Sequence, residues 1–363
     1  MPPAEPVPRR PPVTGPLVRL APGVLLAAVV AGIALGVDAG LAGTGVGSPG
    51  APVLALLLGT ATSTARAPGA LARPGLGWAS SRLLQAGIVL LGLTVPLSAL
   101  TRVGPRALPV VAVAVVTAFA TATVLGRALG VGRDLRLLLG AGTGICGASA
   151  IAAAAGVLRP RPADVSYALS TVVIMNLLAL ATLPPLARAV GLPAPGFGAW
   201  VGASVNDTSA VVALAGSWSA SALTVAVVVK LTRVLALVPV TLVLAWRSRV
   251  HDARHPRARA DGAGSDADPE AGPVATMGLV PPFLVLFVLA VGLAATGVLP
   301  GWATEAAGTA VGGLVACALA GVGLLTRLRE VVRAGPAPVL LGSLVWVAVA
   351  ASTLVTVRLV GLG

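Results

Sequence analysis

The sequence is poor in charged residues and aromatic rings. Of its 363 residues, 10% are charged and 3% are aromatic, while 56% are hydrophobic. A typical soluble domain is about 25% charged. A soluble protein of this length would have too few polar side chains to cover its surface. We therefore expect a lipid bilayer to surround most of the chain.

Cysteine and histidine are equally scarce. The two cysteines, Cys146 and Cys317, lie in apolar segments, which excludes a disulfide framework and a multi-cysteine zinc site. The two histidines, His251 and His255, lie in one polar segment, so no intramembrane histidine is available as a base. Neither a Walker motif nor a nucleophile with a partner base is present. The sequence thus predicts no metal, no cofactor and no enzymatic activity.

The net charge of +13 is distributed in a way that argues against nucleic-acid binding. Most of the arginines lie in short loops between apolar runs and form no continuous basic face with aromatic side chains. We interpret these arginines as residues that set the orientation of the helices in the membrane. The predicted partners are lipid, a small anion, and a proton or sodium ion if transport is coupled; homo-oligomerisation is left open.

The apolar runs predict an all-α integral membrane protein with about 11 transmembrane helices. Glycines within several runs predict a bundle with broken helices, and inverted repeats are left open. The predicted spans are 21–39, 50–65, 77–100, 106–126, 136–157, 164–187, 197–216, 220–246, 276–298, 302–324 and 336–359.

The distribution of arginine predicts the orientation. With a cytoplasmic N-terminus, eighteen arginines fall in inner loops and five outside, among them Arg159 and Arg161. We predict a multi-pass protein of the cytoplasmic (inner) cell membrane with its C-terminus outside. The predicted organisation is a disordered cytoplasmic tail (1–16), helices 1–8 (17–246), a disordered cytoplasmic loop (247–275) and helices 9–11 (276–363).

Three charges fall deep inside predicted spans: Asp207, Lys230 and Arg233. Each costs roughly 2.5–3.5 kcal/mol at a helix centre on insertion scales. Lys230 is the single lysine of the chain and shares a helix face with Arg233. We expect both to face a buried pathway and to bind an anion, since the three charges sum to +1. The alternatives are that Asp207 only neutralises them, or that they extend to the lipid headgroups.

The stretch "LLGAGTGICGASAIAAAAG" contains small and polar candidates for substrate binding. Gly142, Gly144 and Gly147 fit G-x-G-x-x-G, but no βαβ pattern or ribose-binding acid accompanies them, which excludes a Rossmann site. Either the small residues allow close helix packing, or a helix breaks here and its free N–H groups face an anion. The substrate-binding candidates of this stretch are Gly142, Thr143, Gly144, Cys146, Gly147 and Ser149.

The stretch "GFGAWVGASVNDTSAVVALAG" places four consecutive polar residues between apolar flanks. Ser204 and Asn206 are predicted to bind substrate, and Asp207 and Thr208 to bind a coupling proton or sodium ion. Interhelical hydrogen bonding is the alternative. The tripeptide Gly-Ala-Ser occurs in both stretches, fifty-five residues apart, as in transporters built from broken helices.

Together, "GTGICGASAIAA", "FGAWVGASVNDTSAVVA" and "VVKLTRVLALVPV" resemble the YeiH family of sulfate exporters over roughly residues 20–360. The resemblance implies a fold related to the sodium/proton antiporter and bile-acid symporter superfamily, and export of sulfate, sulfite or a small sulfonate. The family's motifs fall on 142–150, 202–208, Lys230 and Arg233. Where the family often has histidine this chain has Asn206, which does not titrate near neutral pH, so Asp207 becomes the candidate for proton coupling.

We therefore expect a secondary transporter that moves a small anion across the cytoplasmic membrane. Its expected substrates are sulfate, sulfite or a small sulfonate, and the expected direction is export. Two alternatives remain open at this point. One is a sodium or proton antiporter that uses Asp207, and the other is a membrane partner protein that transports nothing.

Overall fold

The structure, a computed structural model, describes residues 16–43, 50–254, 282–326 and 336–362. Every regular element in these ranges is helical. A π-helical turn, Ala79–Leu83, joins α3 to α4. The helices are α1 Pro16–Gly43, α2 Ala51–Ala65, α3 Arg73–Trp78, α4 Leu84–Gly92, α5 Leu97–Ala128, α6 Arg133–Gly144, α7 Ala148–Leu158, α8 Pro162–Ala189, α9 Ala194–Ser204, α10 Thr208–Trp218, α11 Ala220–Leu235, α12 Leu237–Arg254, α13 Pro282–Ala295, α14 Gly301–Leu325 and α15 Pro336–Leu359.

Six of the described helical segments are long and apolar enough to cross a membrane. They correspond to α1, α5, α8, the continuous α11–α12, α14 and α15, and they confirm the prediction of a helical membrane protein. The predicted tail, apart from Pro16, lies outside the described residues, as does 255–281. The predicted loop 247–275 is helical where it is described, because α12 continues to Arg254.

The helices α9 and α10 form a hairpin instead of one broken spanning helix. Phe197, near the start of α9, stacks on Trp218, the last residue of α10, with ring centroids 4.1 Å apart. In a continuous helix these rings would be about 30 Å apart. The chain therefore turns at residues 205–207, and α10 returns to the face at which α9 begins.

The helix after this hairpin starts at the same face and crosses to the other. Gly198 packs against Ala222, and Gly202 packs against Ala226, so α9 and α11 run parallel. Both glycines lie against backbone carbonyls, where a Cβ would clash. From there α11 and α12 form an apolar segment of 29 residues, Ala220–Ser248. This segment is long enough to reach the opposite face.

The helices α6 and α7 form a second hairpin, which enters from the opposite face. Gly142 of α6 lies against the side chain of Ile151 of α7, on the far side of the turn. Asp134, at the start of α6, lies within electrostatic range of Asp164, in the first turn of α8. The chain therefore leaves α7 at the face where it entered α6, and α8 then crosses.

This arrangement corrects two of the eleven predicted spans. Segments 136–157 and 197–216 are hairpins, and in the described residues nine segments alternate between the faces: α1, α2, α3–α4, α5, α8, α11–α12, α13, α14 and α15. We call the face at which α1 begins the first face and the other the second face. Arg159 and Arg161 thereby move to the first face and Arg188 to the second. Apart from the buried Arg233, twelve of the described arginines then fall on the side of the first face and four on the side of the second.

The two hairpins and the helices that follow them form an inverted repeat. The α6–α7 hairpin enters from the first face and α8 leads to the second face; the α9–α10 hairpin enters from the second face and α11–α12 leads back. Their first arms have 12 and 11 residues and both second arms have 11. The second arms begin at Ala148 and Thr208, sixty residues apart. The Gly-Ala-Ser tripeptides therefore do not mark equivalent positions.

Candidate functional site

The tips of the two hairpins meet beside α11, which carries both buried basic residues. Lys230 Nζ donates to the carbonyl oxygens of Ile145 (3.2 Å), Val205 (3.0 Å) and Asn206 (2.5 Å). One ammonium group thus binds both tips. Its three N–H donors have three acceptors, so Lys230 has no N–H left for another ligand in this conformation.

Arg233 binds the same two tips one turn further along α11. Its Nε donates to Gly144 O (2.8 Å), its Nη1 to Val205 O (2.9 Å) and its Nη2 to Thr143 O. Both basic side chains are fully buried, which excludes their extension to lipid headgroups. The carbonyls at the C-terminal ends of α6 and α9 lack helical partners and carry the negative end of each helix dipole. Two buried cations stabilise these ends.

Asp207 has the complementary role at the beginning of α10. Its Oδ2 accepts from Ser209 N (2.9 Å) and Ala210 N (3.4 Å), the arrangement of a helix N-cap. Asp207 remains partly exposed. Its carboxylate therefore binds a helix N-terminus while Lys230 binds helix C-termini. The alternative that Asp207 only neutralises Lys230 or Arg233 does not account for these two hydrogen bonds, and it remains untested.

Asn176 of α8 is a site residue that the sequence analysis missed. Its Oδ1 accepts from the backbone N–H groups of Asn206 and Asp207, both at 3.2 Å. These amides lie in the break between α9 and α10, so Asn176 replaces hydrogen bonds that a continuous helix would make. A polar residue at the centre of the apolar run 164–187 was the available signal.

The beginning of α7 lacks the carboxylate that caps α10. Gly147 is the N-cap, with φ 67° and ψ −124°, a conformation that favours glycine, and no side-chain cap is present. Cys146 Sγ, a weak acceptor, faces the N–H of Ala150. The first residues of the helix, Ala148 and Ser149, are exposed. The N-terminal end of α7 is therefore open to a ligand.

Asn206 provides a second indication of a ligand beside this helix terminus. Its side chain is fully buried, and within the described part of the chain neither Oδ1 nor Nδ2 has a hydrogen-bond partner. A Cβ added to Gly147 would lie 3.6 Å from the Cβ of Asn206. A buried amide without partners is costly, by about 1–3 kcal/mol for each unsatisfied group. A bound ligand with polar atoms would remove this cost.

The remaining predicted site residues lie around the same junction. Gly142 and Gly144 are buried in the first arm, and Gly142 O accepts from Gly147 N (2.9 Å). Ser204 is fully buried and donates to Trp200 O (2.6 Å) in its own helix. Thr208 is partly exposed beside Asp207. The structure thus brings all the candidates together, while their roles in substrate or ion binding stay predictions.

Comparison with known proteins identifies the family of the chain. The family model described as "Conserved hypothetical protein 698" matches residues 22–342. A UPF0324 membrane protein of Clostridium tetani is 30% identical over 298 residues, 82% of this chain and 85% of that protein. One of Streptococcus pyogenes serotype M6 is 32% identical over 308 residues (83% and 87%), and one of Streptococcus pneumoniae is 31% identical over 322 residues (86% and 90%). These matches extend over both hairpins and α11, and the chain therefore belongs to the UPF0324 family of membrane proteins.

Proposed function

We propose that the protein is a secondary transporter that moves a small anion across the cytoplasmic membrane. The observation that carries this proposal is the uncapped, exposed N-terminus of α7 beside the unpartnered Asn206 side chain. Amides at a helix N-terminus bind anions through their N–H groups and the helix dipole. The Asn206 amide would add a donor to the same anion.

The charge of the junction supports an anionic substrate. Lys230 and Arg233 contribute two positive charges and Asp207 one negative charge, so the junction carries +1. The hydrogen bonds of Lys230 all go to carbonyls, so we expect it to act on the anion through its field and by holding the tips. Sulfate, sulfite and small sulfonates are the substrates that the family resemblance implies, and export is the implied direction.

The inverted hairpins support transport by alternating access. Substrate sites of transporters with inverted repeats lie near the membrane midplane, between broken helices. Here one hairpin enters from each face and the tips share Lys230 and Arg233. We propose that opening one hairpin at a time exposes the α7 terminus to one face. The excess of arginine makes the first face cytoplasmic in this proposal.

Anion flux into liposomes containing the purified protein tests the proposal. We expect the wild type to move radiolabelled sulfate or sulfite down its gradient, and Asn206→Asp to abolish this flux, because a carboxylate would repel the anion. The matched control is Ser221→Asp, which adds the same charge to an exposed position at the second face. An anion flux in Asn206→Asp equal to that of the wild type would contradict the proposed site.

A sodium or proton antiporter is the second candidate, favoured by the partial exposure of Asp207. In that case, cation flux should be lost in Asp207→Asn while anion binding is unchanged. A protein that moves neither anions nor cations under any gradient would instead be a non-transporting membrane partner. We expect no enzymatic activity in any of these cases.

A further inference from the structure

Two arginines at the second face have no polar partner among the described residues. The described arginines at this face are Arg102, Arg106, Arg188 and Arg358. Arg358 donates to a backbone carbonyl after α8 (2.6 Å), and the guanidinium of Arg188 lies over an indole ring, 5.2 Å from its centroid. Within the described ranges, neither Arg102 nor Arg106 makes a hydrogen bond or an ion pair. Among the described residues, neither arginine therefore stabilises a neighbouring element through a polar contact.

Their position is unfavourable by itself. Arg102 and Arg106 lie four residues apart near the beginning of α5, so they share a helix face and repel each other. Arginine at the second face opposes the overall bias of the chain as well. An anion bound between the two guanidinium groups would offset their repulsion.

A cavity of about 450 Å³ lies beside the two arginines. Its other walls include Ser98, Pro193, Pro195 and Val225. Ligand pockets commonly have volumes of about 300–1,000 Å³. The walls combine two guanidinium groups and a hydroxyl with apolar side chains. This chemistry fits an oxyanion that carries a small apolar group.

The cavity is lined by residues of α9 and α11, the helices that also reach the hairpin tips. Pro193 is the N-cap of α9 and makes no side-chain cap, so the N-terminal end of α9 faces this region. Val225 is five residues before Lys230 on α11. At 1.5 Å per residue this is a rise of about 7.5 Å. The cavity therefore lies about one and a half turns of α11 from the level of the tips.

The geometry points to a second anion site, formed by Arg102, Arg106 and Ser98 in the cavity at the second face. It binds sulfate or a small sulfonate through hydrogen bonds that the guanidinium N–H groups donate to the oxygens of the anion. Its task in transport, which rests on the proposed function, is to hold the anion that enters or leaves the tips. Binding itself does not depend on that function.

Equilibrium dialysis of the purified full chain with radiolabelled sulfate and, by competition, methanesulfonate tests the site at low ionic strength. The variants are Asn206→Asp, which blocks the tips, and Arg102→Gln/Arg106→Gln, which changes only exposed side chains. Arg159→Gln/Arg161→Gln removes the same charge at the first face and is the control. We expect Asn206→Asp to keep one bound anion. We expect the triple variant Asn206→Asp/Arg102→Gln/Arg106→Gln to lose this anion. The control should bind as the wild type does.

The other outcomes separate the two proposals. Loss of all bound anion in Asn206→Asp, with the wild type binding normally, would overturn the cavity site and leave the tip site. Binding that survives in Asn206→Asp/Arg102→Gln/Arg106→Gln would also overturn the cavity site. Asn206→Asp could also bind as much anion as the wild type, with all of this binding lost when Arg102→Gln/Arg106→Gln is added. That result would support the cavity site and contradict the tip site.

Discussion

Gly147 and Asp207 occupy equivalent positions in the two hairpins, each directly before the second arm, but only Asp207 carries a carboxylate. The N-terminus of α10 is thus bound by a carboxylate of the protein itself. The N-terminus of α7 has no such group and is exposed at Ala148 and Ser149. This difference between otherwise similar hairpins is what suggests that an external anion takes the vacant position.

Asp207→Asn should change the valence of the preferred anion. Asparagine is an equally good N-cap, so α10 should stay intact while the charge of the junction rises from +1 to +2. A unit charge about 10 Å away changes the binding free energy by about 1.7 kcal/mol at an effective dielectric constant of ~20. We therefore expect affinity for sulfate to rise on the order of tenfold relative to nitrate. Thermal-shift titrations at fixed pH measure this ratio, and an unchanged ratio would contradict the charge argument.

Lys230→Met should destabilise the protein as well as abolish flux. The substitution keeps the length of the side chain but leaves the buried carbonyls of Ile145 and Asn206, one in each tip, without a donor. The carbonyl of Val205 loses one of its two donors and keeps Arg233. Removal of one partner from a buried charged network costs about 3–5 kcal/mol. We expect a lower apparent Tm in detergent. The control Thr232→Ala removes a bond within α11 only and should change the Tm little.

Gly147→Ala should reduce flux and stability together. Alanine is strained at φ 67°, and its Cβ would lie 3.2 Å from a methyl group of Val172. A cost of about 1–3 kcal/mol is expected from the backbone conformation. Gly156 lies in the same helix with open space around it, so Gly156→Ala is the control and should be neutral or slightly stabilising. Equal Tm values for both variants would show that the tip tolerates a side chain.

Asn176 should hold the α9–α10 break in place through its Oδ1 atom. Asn176→Ala leaves two backbone N–H groups without an acceptor, and we expect lower stability and lower flux. Asn176→Asp keeps the acceptor but lowers the charge of the junction from +1 to 0. This variant should regain stability and still bind sulfate more weakly than the wild type. If Asn176→Asp were as unstable as Asn176→Ala, the positioning role would be wrong.

The hairpins make a prediction about topology that an eleven-span chain does not share. In a background of Cys146→Ala and Cys317→Ala, Arg133→Cys and Arg159→Cys should react with an impermeant maleimide from the same side of the membrane. Arg188→Cys and Ser221→Cys should react from the other side. Labelling of right-side-out and inverted vesicles separates the cases. Reaction of Arg133→Cys and Arg159→Cys from opposite sides would restore the eleven-span arrangement.

Much of this protein follows from the sequence alone. Composition and long apolar runs require helices in lipid, because backbone groups there must be paired within each segment. The glycines near Gly147 and the polar residues around Asp207 indicated where helices break. The depth of Lys230 and Arg233 in an apolar run indicated a buried role. Each of these properties is local, so it can be recognised without knowing what lies next to it.

Only the tertiary structure decided how the broken segments run and what the buried charges bind. An apolar run of about twenty residues has the same hydropathy whether it crosses the membrane or turns back at its centre, so direction is not encoded in the run itself. The acceptors of Lys230 and Arg233 are carbonyls up to 90 residues away in sequence. Backbone carbonyls are present at every residue, and only the folding back of both hairpins leaves these ones without partners beside α11.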